Sequence, residues 1–126
     1  LSVHSFPTRR SSDLTDVRRL AACFVNSMTF AWAEVCGRSY GGGVLELEPR
    51  EAEELPVPYT SADLVDPEHV AELVGNGSLE QAVDYVDELV LVQRLGISRP
   101  NVEKIKGAWL SLSGRRKNRT HQKKVT

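Results

Sequence analysis

The residues of this chain best equipped for chemistry run Arg38-Ser39-Tyr40-Gly41-Gly42-Gly43. Three consecutive glycines strip side chains from the backbone and open dihedral space closed to other residues. The backbone there can approach another molecule closely, or fold tightly beside Arg38 and Tyr40. A guanidinium at position 38 can reach a phosphate or a guanine edge, and the Tyr40 ring can stack. Each residue also has a plainer role. The glycines serve as a surface turn, Arg38 caps the carbonyl end of the preceding helix, and Tyr40 packs in the core. A second set lies at the far end: Arg115, Arg116, Lys117, Arg119, Lys123 and Lys124, with no acidic residue among them. A charge run of this kind suits phosphate better than base edges.

Several chemistries are excluded by spacing. No Gly-Lys-Ser/Thr follows the glycines, so they are not a nucleotide P-loop. They precede a strand instead of following one, so they are not a dinucleotide fingerprint. Cys23 and Cys36 fit no zinc pattern and are expected as reduced thiols of a cytoplasmic protein. His69 sits in an acidic helical turn with no metal partner in sequence, and no Ser/His/Asp or Cys/His order is present. The expected catalytic, cofactor and metal sets are therefore empty. No apolar run approaches the roughly 18 residues of a membrane span, so no membrane partner is expected.

The elements that must position these residues follow from periodicity and caps. The chain has 126 residues, 26% charged, with a net charge of −1, as an ordinary one-domain globular protein would. Acidic residues crowd Glu46 to Glu88, and the end is basic. Val17, Leu20, Ala21, Phe24, Met28, Ala31, Trp32 and Val35 predict one helix from Thr15-Asp16 to Cys36, closed by Gly37. Part of that helix is expected to stay exposed for a larger domain. Asn26 and Ser27 are expected to face solvent or to bond locally. Val44–Leu47 reads as a short strand and Pro49–Leu55 as a short helix stopped by Pro56 and Pro58. Asp66-Pro67 starts another helix, which ends at Gly75-Asn76-Gly77. Ser78 and Gln81 form a capping box for a helix ending before Gly96, with Asp84, Asp87 and Glu88 on a solvated face. Ser98-Arg99-Pro100-Asn101 opens the last helix, which Gly114 ends.

The two termini carry separate expectations. Residues 4–14 resemble the translation of a sequencing-library adapter in one reading frame, so 1–14 are expected to be disordered and to add nothing to folding. With a start at Leu1 in place of methionine, this leads us to expect the last part of a longer chain. Residues 113–126 are expected to be a basic disordered tail.

Asn26-Ser27-Met28-Thr29-Phe30, Ala33-Glu34, Gly37-Arg38-Ser39-Tyr40-Gly41-Gly42-Gly43-Val44-Leu45, Glu48-Pro49 and Leu55-Pro56-Val57-Pro58 together resemble the C-terminal part of adenine-N6 DNA methyltransferases of restriction–modification systems. The resemblance is good over about 17–59 and weaker to Leu112, and it makes 15–112 a target-recognition-associated segment. It implies a mainly α fold with a short β element (α+β), a helical C-terminal fragment of a larger α/β enzyme. It implies S-adenosylmethionine in the parent enzyme and no cofactor in this chain. The implied partners are duplex DNA and an N-terminal catalytic domain, and the implied DNA-contacting residues are the two sets above. That family's catalytic motif, Asn-Pro-Pro-Tyr or similar, holds the flipped adenine. This chain has no Pro-Pro dipeptide, and Pro56-Val57-Pro58-Tyr59 lacks the preceding Asn, Asp or Ser. The rival reading is a small α-helical interaction module with a basic tail.

Overall fold

The computed structural model describes residues 11–40, 44–58 and 64–125, the side chains of 11–15, 38–40 and 119–125 excepted. Helix α1 spans Ser11–Cys23 and α2 spans Ser27–Cys36. Strands β1 (Arg38–Tyr40) and β2 (Val44–Glu46) follow, then α3 (Pro49–Glu53), α4 (Pro67–Gly75) and α5 (Leu79–Val86). A π-helical segment, Asp87–Arg94, continues α5 without a break, and α6 runs Arg99–Val125. The described residues are thus mainly helical, with one antiparallel strand pair among them.

Where one helix was expected from Thr15 to Cys36, there are two. The break lies at Phe24–Asn26, and its cause is Asn26. That residue is extended (φ −141°, ψ 157°) and accepts at Oδ1 from the Thr29 amide. Asparagine is among the best N-cap residues, and here it restarts the helix in a different direction. Its Nδ2 donates to Cys23 O (2.6 Å) and to Thr29 Oγ1 (2.8 Å). Thr29 Oγ1 in turn donates to Pro56 O. Asn26 and Ser27 are wholly buried, so they do not face solvent; local bonds hold Asn26, whereas the Ser27 amide donates to the distant Asp87.

Helix α1 begins at Ser11, four residues before the expected cap, so 11–14 are helical. At the other end Gly114 does not stop α6, which carries on to Val125 where disorder was expected. A mid-helix glycine costs about 1 kcal/mol relative to alanine. Buried Ser113 and the paired Arg116 anchor the helix on either side of Gly114, and tertiary contact outweighs the local preference.

Other boundaries follow their local signals. Gly77 (φ 77°) ends α4 with Ser78 N donating to Leu73 O and Gly77 N donating to Val74 O, the Schellman pattern that an αL glycine permits. Gly96 (φ 73°) ends the π segment. Asp66 caps α4 through the Glu68 amide, with Pro67 in its first turn. The Ser78 side chain, in contrast, makes no capping bond to α5, and the capping box appears at Glu48, whose amide donates to Glu51 Oε1. The core gathers Ala22 and Cys23 of α1, Val65, Val70 of α4 and Ala82, Val86 and Val90 of the α5–π unit. Helix α6 covers the other side of α2, and Phe30 and Trp109 meet with ring centroids 5.3 Å apart.

Candidate functional site

The glycine stretch joins two strands. β1 and β2 pair antiparallel in the register Arg38↔Glu46, Ser39↔Leu45, Tyr40↔Val44. Gly41, Gly42 and Gly43 lie outside the described residues, as do the side chains of Arg38, Ser39 and Tyr40. The base of the hairpin is Gly37. Its backbone is extended (φ −75°, ψ 167°), not left-handed, and its amide donates to Ala33 O. A Cβ there would lie 2.7 Å from Ala33 O and 2.7 Å from Leu45 Cδ1. Glycine is required because β2 closes directly against the end of α2, not because of a positive φ.

Since the hairpin leaves α2 without a linker, whatever fixes α2 aims the hairpin. Three contacts do so. At its start, the Ser27 amide donates to Asp87 Oδ1 (2.9 Å), a carboxylate at the positive end of a helix. One turn on lies the Phe30–Trp109 ring pair. Near its end, Arg116 Nη2 donates to Glu34 Oε1 (2.7 Å), and Arg116 Nε lies 3.1 Å from both Glu34 oxygens.

That pair separates the basic residues into two kinds. Arg116 was expected as a phosphate contact, but its guanidinium is committed to Glu34. Their side chains are only 14% and 6% exposed. Arg115 and Lys117 on either side of it are exposed and without an ion-pair partner among the described residues. Arg119, Lys123 and Lys124 lie on α6 with side chains outside the described ones. Arg116 is bonded to Glu34, three residues before Gly37, so of the basic run it is Arg116 that ties α6 to the end of α2, while Arg115 and Lys117 stay on the exposed faces of α6. Lys117 also borders an open depression of about 490 Å³ shared with Gly77, Ser78, Gln81 and Trp109. Trp32 and Val35 on α2 and Val44 in β2 remain 47%, 65% and 55% exposed, an apolar stretch beside the hairpin.

Part of the acidic middle is paired within the fold. Asp84 pairs with Lys106 (2.8 Å) and Glu88 with Arg99 (2.6 Å), and the Arg99 hydrogen bonds hold the Glu88 carboxyl below its ordinary range. Asp87 is different. Expected on a solvated face, it is 3% exposed, because positions 83, 87 and 91 form one row with Val83 and Leu91, both fully buried. Burial pushes its carboxyl above the ordinary value of 3.8. The Ser27 amide pulls it back, Asp84 adds to the rise, and Lys106 opposes it. A folded-state pKa above the unfolded one gives a contribution that is complete below 3.8 and lost as pH rises through the higher folded value. Asp87→Asn keeps an acceptor for the Ser27 amide and removes the charge. The variant should match or exceed the wild type in urea unfolding at pH 7, with the gap closing towards pH 4. A variant less stable at pH 7 than at pH 4, relative to wild type, would contradict this.

Sequence reasoning missed Asn26, Glu34, Asp87 and the pairing of Arg116. Asn26 followed three residues later by Thr29 was a readable cap signal, masked by the apolar row running through it. Glu34 and Arg116 are 82 residues apart, and nothing local links them. Among the described residues no group of acidic, histidine or cysteine side chains is arranged to hold a metal, and no helix is long and apolar enough to cross a membrane.

A protein-family model described as "Type II methyltransferase M.Eco57I, C-terminal domain" matches residues 2–91, which include the hairpin and run from the first residues into the π segment. No curated protein and no solved structure matches the chain.

Proposed function

The chain belongs to the family of C-terminal domains of the Type II methyltransferase M.Eco57I, and on that premise we propose that it is the non-catalytic, target-recognition-associated part of a site-specific adenine-N6 DNA methyltransferase of a restriction–modification system. The parent reaction takes a methyl group from S-adenosylmethionine to adenine N6 of a flipped base. The glycine hairpin, with Arg38, Ser39 and Tyr40, faces duplex DNA, and the cations of α6 contact its phosphates. The catalytic domain, which supplies the cofactor turn and the Asn-Pro-Pro-Tyr-like motif missing here, packs on Trp32, Val35 and Val44, since an apolar stretch of this kind marks an interface. The observation that carries the reading is the family match over residues 2–91, which takes in the hairpin, and beside it stand the exposed cations Arg115 and Lys117 on α6, without ion-pair partners among the described residues.

Two results are expected of the purified chain. Incubated with S-adenosylmethionine and duplex DNA it transfers no methyl group; labelled DNA would refute the non-catalytic assignment. It binds duplex DNA without sequence preference, with a dissociation constant of about 10⁻⁴–10⁻⁶ M that weakens steeply with salt. Arg115→Ala with Lys117→Ala should lower the slope of log affinity against log salt by about 2, roughly 1 per lost phosphate contact. Unchanged affinity and slope in the double variant would remove Arg115 and Lys117 from the DNA surface.

A further inference from the structure

We propose that the Glu34–Arg116 pair sets the direction of the β1–β2 hairpin, Arg116 acting as a positioning residue and not as a phosphate contact. The proposal rests on the DNA-facing role of the hairpin for its functional meaning, but its geometry stands without it. Arg116 lies within a run of cations and is the one of Arg115, Arg116 and Lys117 that is largely buried. Its fork meets both carboxylate oxygens of Glu34. A guanidinium that meets both oxygens of one carboxylate through two of its nitrogens restricts the approach of the two groups in a way that apolar contact does not.

Leverage comes from where Glu34 sits. It is one turn beyond Phe30, whose ring meets Trp109, and three residues before Gly37, where the chain turns directly into β1. Phe30 to Glu34 on α2 matches Trp109 to Arg116 on α6, so the two contacts advance in the same sense along both helices. The Ser27–Asp87 bond and the ring pair hold the start and middle of α2. The Glu34–Arg116 pair holds the end that carries the hairpin. Replacing a buried ion pair with apolar side chains often leaves stability unchanged or higher, so stability alone does not explain the pair; direction does. The hairpin and α6 are then one unit, and a cation at 115 or 117 keeps a fixed relation to Arg38.

The test uses the full chain with nitroxide labels at Val44→Cys and Ser111→Cys, both exposed positions, in a background with Cys23→Ala and Cys36→Ala. Distances between the labels are read by pulsed electron paramagnetic resonance. The labelled reference should give one narrow distribution. Arg116→Lys and Glu34→Gln, each still folded by circular dichroism, should broaden or shift it, and the exchanged pair Glu34→Arg with Arg116→Glu should narrow it again. A distribution unchanged in both single variants would overturn the proposal. Should Glu34→Gln not fold, Arg116→Lys and the exchanged pair decide by the same criterion.

A second arm measures DNA affinity against salt for Glu34→Gln, which releases Arg116 with its charge intact. Positioning predicts no tighter binding and no steeper slope. A slope steeper by about 1 with the label distance unchanged would make Arg116 a latent phosphate contact and overturn the assignment. If the unsubstituted chain binds no DNA, the functional reading fails while the label distances still decide the geometry.

Discussion

Asn26→Ala is expected to destabilise the chain by about 3 kcal/mol. Losing an asparagine N-cap costs about 0.5–2 kcal/mol. Here the loss goes further, because Asn26 is fully buried and uses both amide hydrogens and its carbonyl. Truncation leaves Cys23 O and the Thr29 amide without that partner, at about 1–3 kcal/mol for each buried group stranded. The Thr29 hydroxyl, which also donates to Pro56 O, loses its own donor from Asn26. In a domain near this size the midpoint should fall by roughly 10–20 °C. Asn26→Asp keeps an acceptor for the Thr29 amide and adds charge at a helix start, but brings a carboxylate against Cys23 O. It should fall between alanine and the wild type. Urea unfolding of the three proteins checks this, and a loss under about 1 kcal/mol for alanine would mean that the α1–α2 junction relaxes into solvent.

Glu34→Ala should have an effect of similar or larger size, about 3–5 kcal/mol, the usual result when one partner of a buried pair is removed. Most of this is the guanidinium left at low exposure without its carboxylate, not the loss of the pair's own attraction. A second substitution, Arg116→Leu, on top of Glu34→Met should therefore recover most of the loss, since a buried pair and an apolar pair of similar volume are often equivalent in stability. Each single variant and the double variant form a cycle, and a coupling of about 1 kcal/mol or more is expected between directly bonded groups. Additive effects would show that the pair is solvated in solution. The recovered double variant is also informative about the hairpin: its stability returns while the fixed direction of β1 and β2 does not.

Much of the local architecture was readable because its causes lie within a few residues. Asp66-Pro67 starts a helix, glycines at 77 and 96 end helical segments through positive φ, and Pro49 opens α3. The strand at Val44 was readable, and its partner Arg38–Tyr40 was not, because a three-residue strand carries too little alternation to be told from a loop. The break at Asn26 was hidden by apolar residues that keep one helical phase on both sides of it. The helix through Gly114 was misread for the opposite reason: the local signal was correct, and contacts made by Ser113 and Arg116 overrode it.

The candidate site divides in the same way. Sequence alone determined the family resemblance, the glycine stretch, the run of basic residues and the missing catalytic motif, all properties of residue type and short spacing. The tertiary structure decided which charges are available. Asp87, 60 residues from Ser27, is taken from an acidic surface and buried under the start of α2. Arg116, 82 residues from Glu34, is taken from a basic run and used to hold the end of α2. The physical reason is that a side chain's charge is fixed by its type, whereas its desolvation and its partner are fixed by what the fold places against it.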